Sequence, residues 1–215
     1  MSERKRKDGL RDTVVFDLGG VLVDWNPRHL YRQLFDDEAV MERFLAEVCR
    51  PSWNEQQDAG RPWQEAIREL SEEFPEHAEL IVAYRARWDE MLGGPLHDSV
   101  AVLAELRARG VRLYALTNWS QETFPVALER YAFLHWFEGI VVSGQERMIK
   151  PDPAIFQVLL DRYDLHAEQV VYIDDAPRNV EAAARLGMHA VLFRDAAALR
   201  AELVAAKLLD DEPRR

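Results

Sequence analysis

Residues 13–24 read T-V-V-F-D-L-G-G-V-L-V-D, and the rest of the chain is organised around them. Thr13, Val14, Val15 and Phe16 form a short β-branched and aromatic run, the composition of a strand covered on both faces. The run stops at Asp17, with Gly19 and Gly20 close behind. Open α/β sheets bind their ligands beyond the carboxyl ends of the strands, so a carboxylate here stands at a ligand position. The two glycines allow a sharp turn with exposed N–H groups, which suits an anion. Asp and Gly are also ordinary turn residues, so this stretch alone leaves a capped turn open.

Working outward, residues 27–92 carry apolar side chains three and four apart. One face is Leu30, Leu34 and Phe35. A second is Val40, Phe44, Leu45 and Val48, and a third is Trp63, Ile67 and Leu70. Ile81, Tyr84, Trp88 and Leu92 make the fourth. The spacing predicts amphipathic helices, broken at Pro51, at Gly60 to Pro62 and at Pro75, and closed by Gly93, Gly94 and Pro95. From residue 98 strands and helices alternate. Helices are expected over 98–109, 121–131, 154–162, 178–186 and 196–208, with strands over 111–116, 140–142, 170–173 and 190–193.

This alternation predicts an α/β fold, a doubly wound, Rossmann-like parallel sheet of order 3-2-1-4-5 with an inserted helical cap. The expected core is 10–25 with 94–208, and the expected cap is 26–93. In that order strand one lies beside strand four, which brings Asp17 next to Asp174 and Asp175 and puts Thr117 on the other flank.

Three converging carboxylates raise one another's pKa unless a cation joins them. With no His or Cys in the set, the donors suit a hard ion that keeps its waters, Mg²⁺. Asp174 and Asp175 also precede a helix, where capping alone would account for them. Thr117 and Asn118 either start the next helix or hold phosphate oxygens. Lys150 precedes Pro151 on a constrained backbone.

The chain has 215 residues, 48% hydrophobic and 30% charged, as in a soluble globular protein. A net charge of −11 argues against a nucleic-acid surface and makes each cation near the site informative. A single cysteine, Cys49, precludes an internal disulfide and makes a cytoplasmic location the expectation. Cys49 itself reads as core or near-surface filler, not a nucleophile. The basic cluster at 4–7 has no apolar run behind it, so neither a signal peptide nor a membrane span is expected. Residues 1–9 and 210–215 read as solvated ends.

Taken together, the segments F-D-L-G-G-V from Phe16, L-T-N-W-S from Leu116, K-P-D from Lys150 and Y-I-D-D-A from Tyr172 resemble the four motifs of the haloacid dehalogenase-like hydrolases. The likeness runs from Thr13 to about Ala206, and the helical insert looks like that family's C1-type cap. It implies an Mg²⁺-dependent phosphatase acting on a small phosphorylated metabolite through an aspartyl-phosphate on Asp17. By resemblance, Asp17, the Gly19 carbonyl and Asp175 hold Mg²⁺, with Asp174 sharing or one shell out and Asn179 steadying them. Thr117, Asn118 and Lys150 hold the phosphoryl group, and Lys150 offsets the nucleophile's charge.

One position departs from the pattern. Family phosphatases usually carry a second Asp two residues after the nucleophile as general acid and base, and here that residue is Gly19. Asp24, His29 and Asp58 are the polar candidates to replace it. Two branches share the gap: 2-haloacid dehalogenases, for which Arg28 is a candidate partner of the substrate carboxylate, and a group resembling sugar-1-phosphate phosphatases. A phosphate-binding protein without turnover is the third alternative. In the cap, Trp25, Asn26 and Trp63 are noted, but only Trp53 and Asn54 are assigned to substrate selection. A monomer or homodimer is expected.

Overall fold

A computed structural model describes residues 11–211. The solvated ends expected at 1–9 and 212–215, the basic cluster at 4–7 and the first residue of the expected core, residue 10, lie outside them. Asp210, expected in the solvated tail, is instead held by the guanidinium of Arg109.

The chain begins with β1 (Thr13–Phe16), β2 (Val23–Trp25), α1 (Arg28–Tyr31), α2 (Glu38–Glu47), α3 (Pro51–Asp58), α4 (Trp63–Glu73) and α5 (Ala78–Ala86). A 3₁₀ turn at Trp88–Met91 leads to β3 (Leu92–Pro95). Then come α6 (His97–Ala108), β4 (Arg112–Thr117), α7 (Phe124–Arg130), β5 (Gly139–Val142), α8 (Ser143–Glu146) and α9 (Pro153–Arg162). β6 (Val170–Asp174), α10 (Pro177–Arg185), β7 (His189–Leu192) and α11 (Ala196–Ala205) complete the described residues.

Five strands form one parallel sheet of order β5-β4-β1-β6-β7, the expected 3-2-1-4-5 arrangement. Its sequence basis is a period of two in each central strand. Val14 and Phe16 of β1, Leu113 and Ala115 of β4, and Val171 and Ile173 of β6 enter one apolar cluster. Val15, Tyr114, Leu116, Val170 and Tyr172 enter a second. The first cluster is covered by Val102, Leu103 and Leu106 of α6 and by Leu199 and Leu203 of α11. The second is covered by Ile155, Phe156 and Leu159 of α9 and Ala182 and Ala183 of α10. Both faces being covered, these strands read as continuous apolar runs.

Register fixes where the chemistry lands. Phe16 aligns with Ala115 on one side and Ile173 on the other, so Asp17 stands level with Leu116 and Asp174. The Asp17 N–H donates to the Ile173 carbonyl at 2.8 Å, carrying the ladder one residue past β1.

Two features correct the sequence reading. The helical tract does not run to residue 92: Leu92, Gly93, Gly94 and Pro95 form β3, antiparallel to β2, so the expected breaker is itself a strand. Leu92 is therefore a strand residue and not part of the fourth helical face. A three-residue and a four-residue strand, one of them Leu-Gly-Gly-Pro, carry too little alternation to register as a pattern. The helix expected from residue 121 starts at Phe124, since residues 121–123 form a turn.

The helices between β2 and β3 pack around aromatic rings. Tyr31, Phe44 and Tyr84 meet at centroid distances of 5.1 and 6.1 Å, and Trp53, Trp63 and Tyr84 at 5.1 to 5.6 Å. This block is fastened to the sheet edge by polar bonds. Trp63 Nε1 donates to Ser120 Oγ at 3.0 Å, the Trp63 N–H to Glu122 at 3.0 Å, and Ser143 Oγ to the Asp58 carbonyl at 2.5 Å. Among the described residues no helix is long and apolar enough to cross a membrane.

The α9 face gives a direct test of the packing. Phe156 is fully buried, edge-on to Tyr172 at 5.3 Å. Phe156→Ala is expected to destabilise the protein by about 3–5 kcal/mol, measured as a lowered urea midpoint with an unchanged slope.

Candidate active site

The carboxyl ends of β1, β4 and β6 open into a chamber of about 710 Å3. Asp17, Gly19, Gly20, Thr117, Asn118, Lys150, Asp175 and Asn179 line its floor.

Lys150 is the centre of the arrangement. Its side chain is 1% exposed, and its ammonium reaches Asp17 Oδ1 at 3.0 Å, Asp174 Oδ2 at 2.7 Å and the Leu116 carbonyl at 2.9 Å. An ammonium has three protons, so all three are used. Burial works against its charge, but Asp17 and Asp174 outweigh that and hold its pKa above the ordinary lysine value. Asn118 fixes the backbone of this lysine on both sides of its Cα. The Lys150 N–H donates to Asn118 Oδ1 at 2.9 Å, and Asn118 Nδ2 donates to the Lys150 carbonyl at 3.1 Å. The Asn118 side chain therefore positions Lys150.

Asp17 is 9% exposed. Its Oδ1 also accepts the Leu18 N–H at 2.7 Å, while no donor among the described residues reaches its second oxygen. Burial pushes its pKa up to about 7; Lys150 opposes the rise, and Asp174 and Asp175 add to it. Asp174 is fully buried, and both its oxygens are engaged. It accepts from Lys150, from Tyr172 Oη at 2.5 Å, from the Ala176 N–H at 2.9 Å and from Asn179 Nδ2 at 2.9 and 3.1 Å. Asp175 is the exposed member, its pKa raised by burial and by Asp174 against the pull of Lys150.

The cluster fits a hard cation. One oxygen from each of Asp17, Asp174 and Asp175 lies within 4.8 Å of the others, and no nitrogen or sulfur ligand is among them. Because the Asp174 oxygens already hold protein donors, Asp17 and Asp175 are the carboxylates with capacity left. Gly20 has φ +72°, and a Cβ placed on it would lie 2.3 Å from Asp175 Oδ2. Glycine is thus required here both for the turn and for the approach of Asp175.

The walls come from the helical block. Trp25, Pro27, Leu45, Ala46, Cys49, Pro51 and Tyr84 give an apolar lining, with Asn54 and Asp58 among them. Asn54 accepts from Tyr84 Oη at 3.3 Å and donates to Asp58 Oδ2 at 2.9 Å. Of the two cap residues assigned to substrate selection, Asn54 lines the chamber, while Trp53 is 3% exposed, packed on Trp63 and Tyr84 and outside the lining. Trp25, noted but not assigned from the sequence, does line the chamber. Cys49 lines the wall with a thiol that burial pushes up to about 12, so it remains an unreactive filler. At the rim Arg28 is held bidentately by Glu42 at 2.5 and 2.6 Å, and Arg178 pairs with Glu55 at 2.5 Å. The cation considered for a haloacid carboxylate already has a carboxylate partner.

The chain matches the family model described as haloacid dehalogenase-like hydrolase over residues 11–187, and it belongs to that family. It is 26% identical over 189 residues to a sesquiterpene phosphatase, AstK, of Aspergillus oryzae, covering 88% of this chain and 93% of the relative. It is 27% identical to a drimenol cyclase of Aspergillus calidoustus, but spans only 33% of that longer chain. Its fold matches a family enzyme of Bacteroides thetaiotaomicron solved with magnesium and inorganic phosphate, with TM-score 0.65 and 20% identity, over 87% of this chain and 96% of the other. It also matches the L-2-haloacid dehalogenase of Xanthobacter autotrophicus, with TM-score 0.59 and 17% identity, over 93% and 85%.

Replacing Lys150 by Met would leave Asp17 and Asp174 buried together without their cation. Removing one partner of a buried ion pair costs about 3–5 kcal/mol. The expected loss for Lys150→Met is of that size and is largest above neutral pH. It shrinks as pH falls, because protonating Asp17, whose pKa burial already raises, relieves the repulsion that the variant suffers and the wild type does not. Urea denaturation of both proteins at several pH values measures it.

Proposed function

We propose that the protein is an Mg²⁺-dependent phosphatase that transfers the phosphoryl group of a small monoester to Asp17 and then to water. The observation that carries this reading is Asp17 itself: a buried carboxylate at the end of the central strand, held by Lys150 and the Leu18 N–H beside an oxygen-only acidic cluster. In this reading residues 10–25 and 94–208 are the catalytic core and 26–93 the cap that encloses the substrate.

Asp17 is the nucleophile and Lys150 keeps it ionised and aligned. Thr117, Asn118 and the backbone around them receive the phosphoryl oxygens. Asp17, Asp175 and the Gly19 carbonyl hold Mg²⁺, with Asp174 and Asn179 steadying the set. When bound, the cation supplies charge stabilisation for the phosphoryl oxygens and the acidic cluster. Catalysis then rests on preorganised donors facing a dispersed negative charge. The bound magnesium and phosphate in the Bacteroides enzyme support the cation.

Dehalogenation, which the family also includes, is less well served. An attack on carbon has no use for the acidic cluster, and Arg28 is paired with Glu42. The organic part of the substrate faces Trp25, Leu45, Cys49 and Tyr84, so we propose a phosphate ester with an apolar organic group in preference to the sugar-1-phosphate that Gly19 suggested. The similarity to a sesquiterpene phosphatase supports that choice.

Asp17→Asn should abolish phosphate release while leaving the melting curve within a few degrees of wild type. Chelation should stop the wild-type enzyme, and added Mg²⁺ should restore it and raise its melting temperature, as binding to the native state alone requires. Undiminished turnover by Asp17→Asn, or full activity on a 2-haloacid after chelation, would overturn the proposal.

A further inference from the structure

Gly19 removes the side chain that family phosphatases usually use to protonate the leaving oxygen, so the space around it is informative. A Cβ built on Gly19 meets nothing within 4 Å. The opening beside it is a lobe of about 70 Å3 lined by Gly19, Trp25, Asn54, Asp58, Trp88, Asn118 and Trp119. Asp58 brings the lone carboxyl to this lobe, and it also lines the main chamber together with Asp17.

The three polar candidates now separate. Asp24 and His29 are paired with each other at 2.9 Å, packed where a Cβ on Gly93 would strike both, and neither lines the chamber. Asp58 ends α3 and is fastened to the sheet edge. Its carbonyl accepts Ser143 Oγ, which in turn accepts the Trp119 N–H at 2.9 Å. Its carboxyl accepts from Asn54 Nδ2, and Asn54 is itself held by Tyr84 Oη. A side chain from the helical block is thereby fixed against the core beside the missing acid.

Resting on the phosphatase reading above, we propose that Asp58 is the general acid and base of the reaction, supplied across the chamber in place of the absent side chain at Gly19. In the first half-reaction an Asp17 oxygen bonds to phosphorus and the P–O bond to the organic group breaks. The electron pair leaves with the organic oxygen, and the Asp58 carboxyl gives that oxygen its proton, releasing an alcohol. In the second, the Asp58 carboxylate takes a proton from water as the water oxygen bonds to phosphorus. The P–O bond to Asp17 breaks, and phosphate and the Asp17 carboxylate are regenerated.

The charge state is suitable. Burial pushes the Asp58 carboxyl up to about 7; the Ser120 backbone amide opposes this, and the charges of Glu55 and Asp17 add to it. The acid is therefore present below about pH 7 and lost above it, which matches a group that must donate and then accept near neutrality. The phenol of Tyr84, which also faces Asp58, stays protonated because burial raises its pKa well above the ordinary value.

The test compares p-nitrophenyl phosphate, whose leaving oxygen needs no proton, with benzyl phosphate, whose leaving alkoxide does. Phosphate release is read as kcat/KM, which reports the first phosphoryl transfer. For Asp58→Asn the expected loss on benzyl phosphate is about 10²–10⁴-fold, and on p-nitrophenyl phosphate less than tenfold. Wild-type pH profiles give a second reading that needs no variant. Activity on benzyl phosphate should fall as pH rises through about 7, and activity on p-nitrophenyl phosphate should lack that limb. Equal losses on both substrates in a folded variant, or the same alkaline limb for both in the wild type, would overturn the assignment alone. Wild-type protein that releases phosphate from neither ester would overturn the phosphatase reading, and the assignment with it.

Discussion

One buried ammonium sets the geometry of this site. Lys150 stands between Asp17 and Asp174 at 3.0 and 2.7 Å, with the Leu116 carbonyl as its third acceptor. An unpaired charge so deeply buried would cost several kcal/mol, so the three groups must be placed together or not at all. Their placement depends on β1 lying between β4 and β6, with Asp17, Leu116 and Asp174 at one level of the sheet. The apolar alternation of Val14, Val15 and Phe16 secures that register, because a slip by one residue would exchange the two covered faces.

Around this triad the polar groups are arranged in series. Asn118 holds the Lys150 backbone, and Asn179 and Tyr172 hold Asp174, which holds the Lys150 ammonium. Each contact removes freedom from a charged group that would otherwise have to reorganise as charge develops, the costly step in a polar reaction. The helical block contributes differently. Through Trp63 to Ser120 and Ser143 to the Asp58 carbonyl, it is joined to the loop following β4 and to the first residue of α8. That attachment brings an apolar wall and the Asp58 carboxyl over a floor built from the sheet.

Much of this was legible in the sequence. The central strands are largely apolar runs, β4 and β6 ending at Thr117 and Asp174 and β1 one residue before Asp17, and a parallel sheet places all such ends on one side. What stayed hidden depended on distant contacts. The strands Val23–Trp25 and Leu92–Pro95 exist because they pair with each other, and neither has a pattern long enough to declare itself. Of the tryptophans in this region, the sequence singled out Trp53 for substrate selection and only noted Trp25. Only the packing of Trp63 and Tyr84 sends Trp53 into the interior and leaves Trp25 on the chamber. Asn54 and Asp58 stand four apart on one helix face, but nothing local says that this face meets Gly19.

The atom that Asp17 attacks decides the chemistry of this site. Wild-type enzyme mixed with Mg²⁺ and a phosphate ester, quenched in acid within one turnover, can be digested and the peptide containing Asp17 weighed by mass spectrometry. A phosphoryl group on Asp17, removed by hydroxylamine and absent without Mg²⁺, is the predicted result. An unmodified Asp17 during confirmed turnover, or an alkanoate ester on Asp17 after incubation with a 2-haloacid, would contradict it.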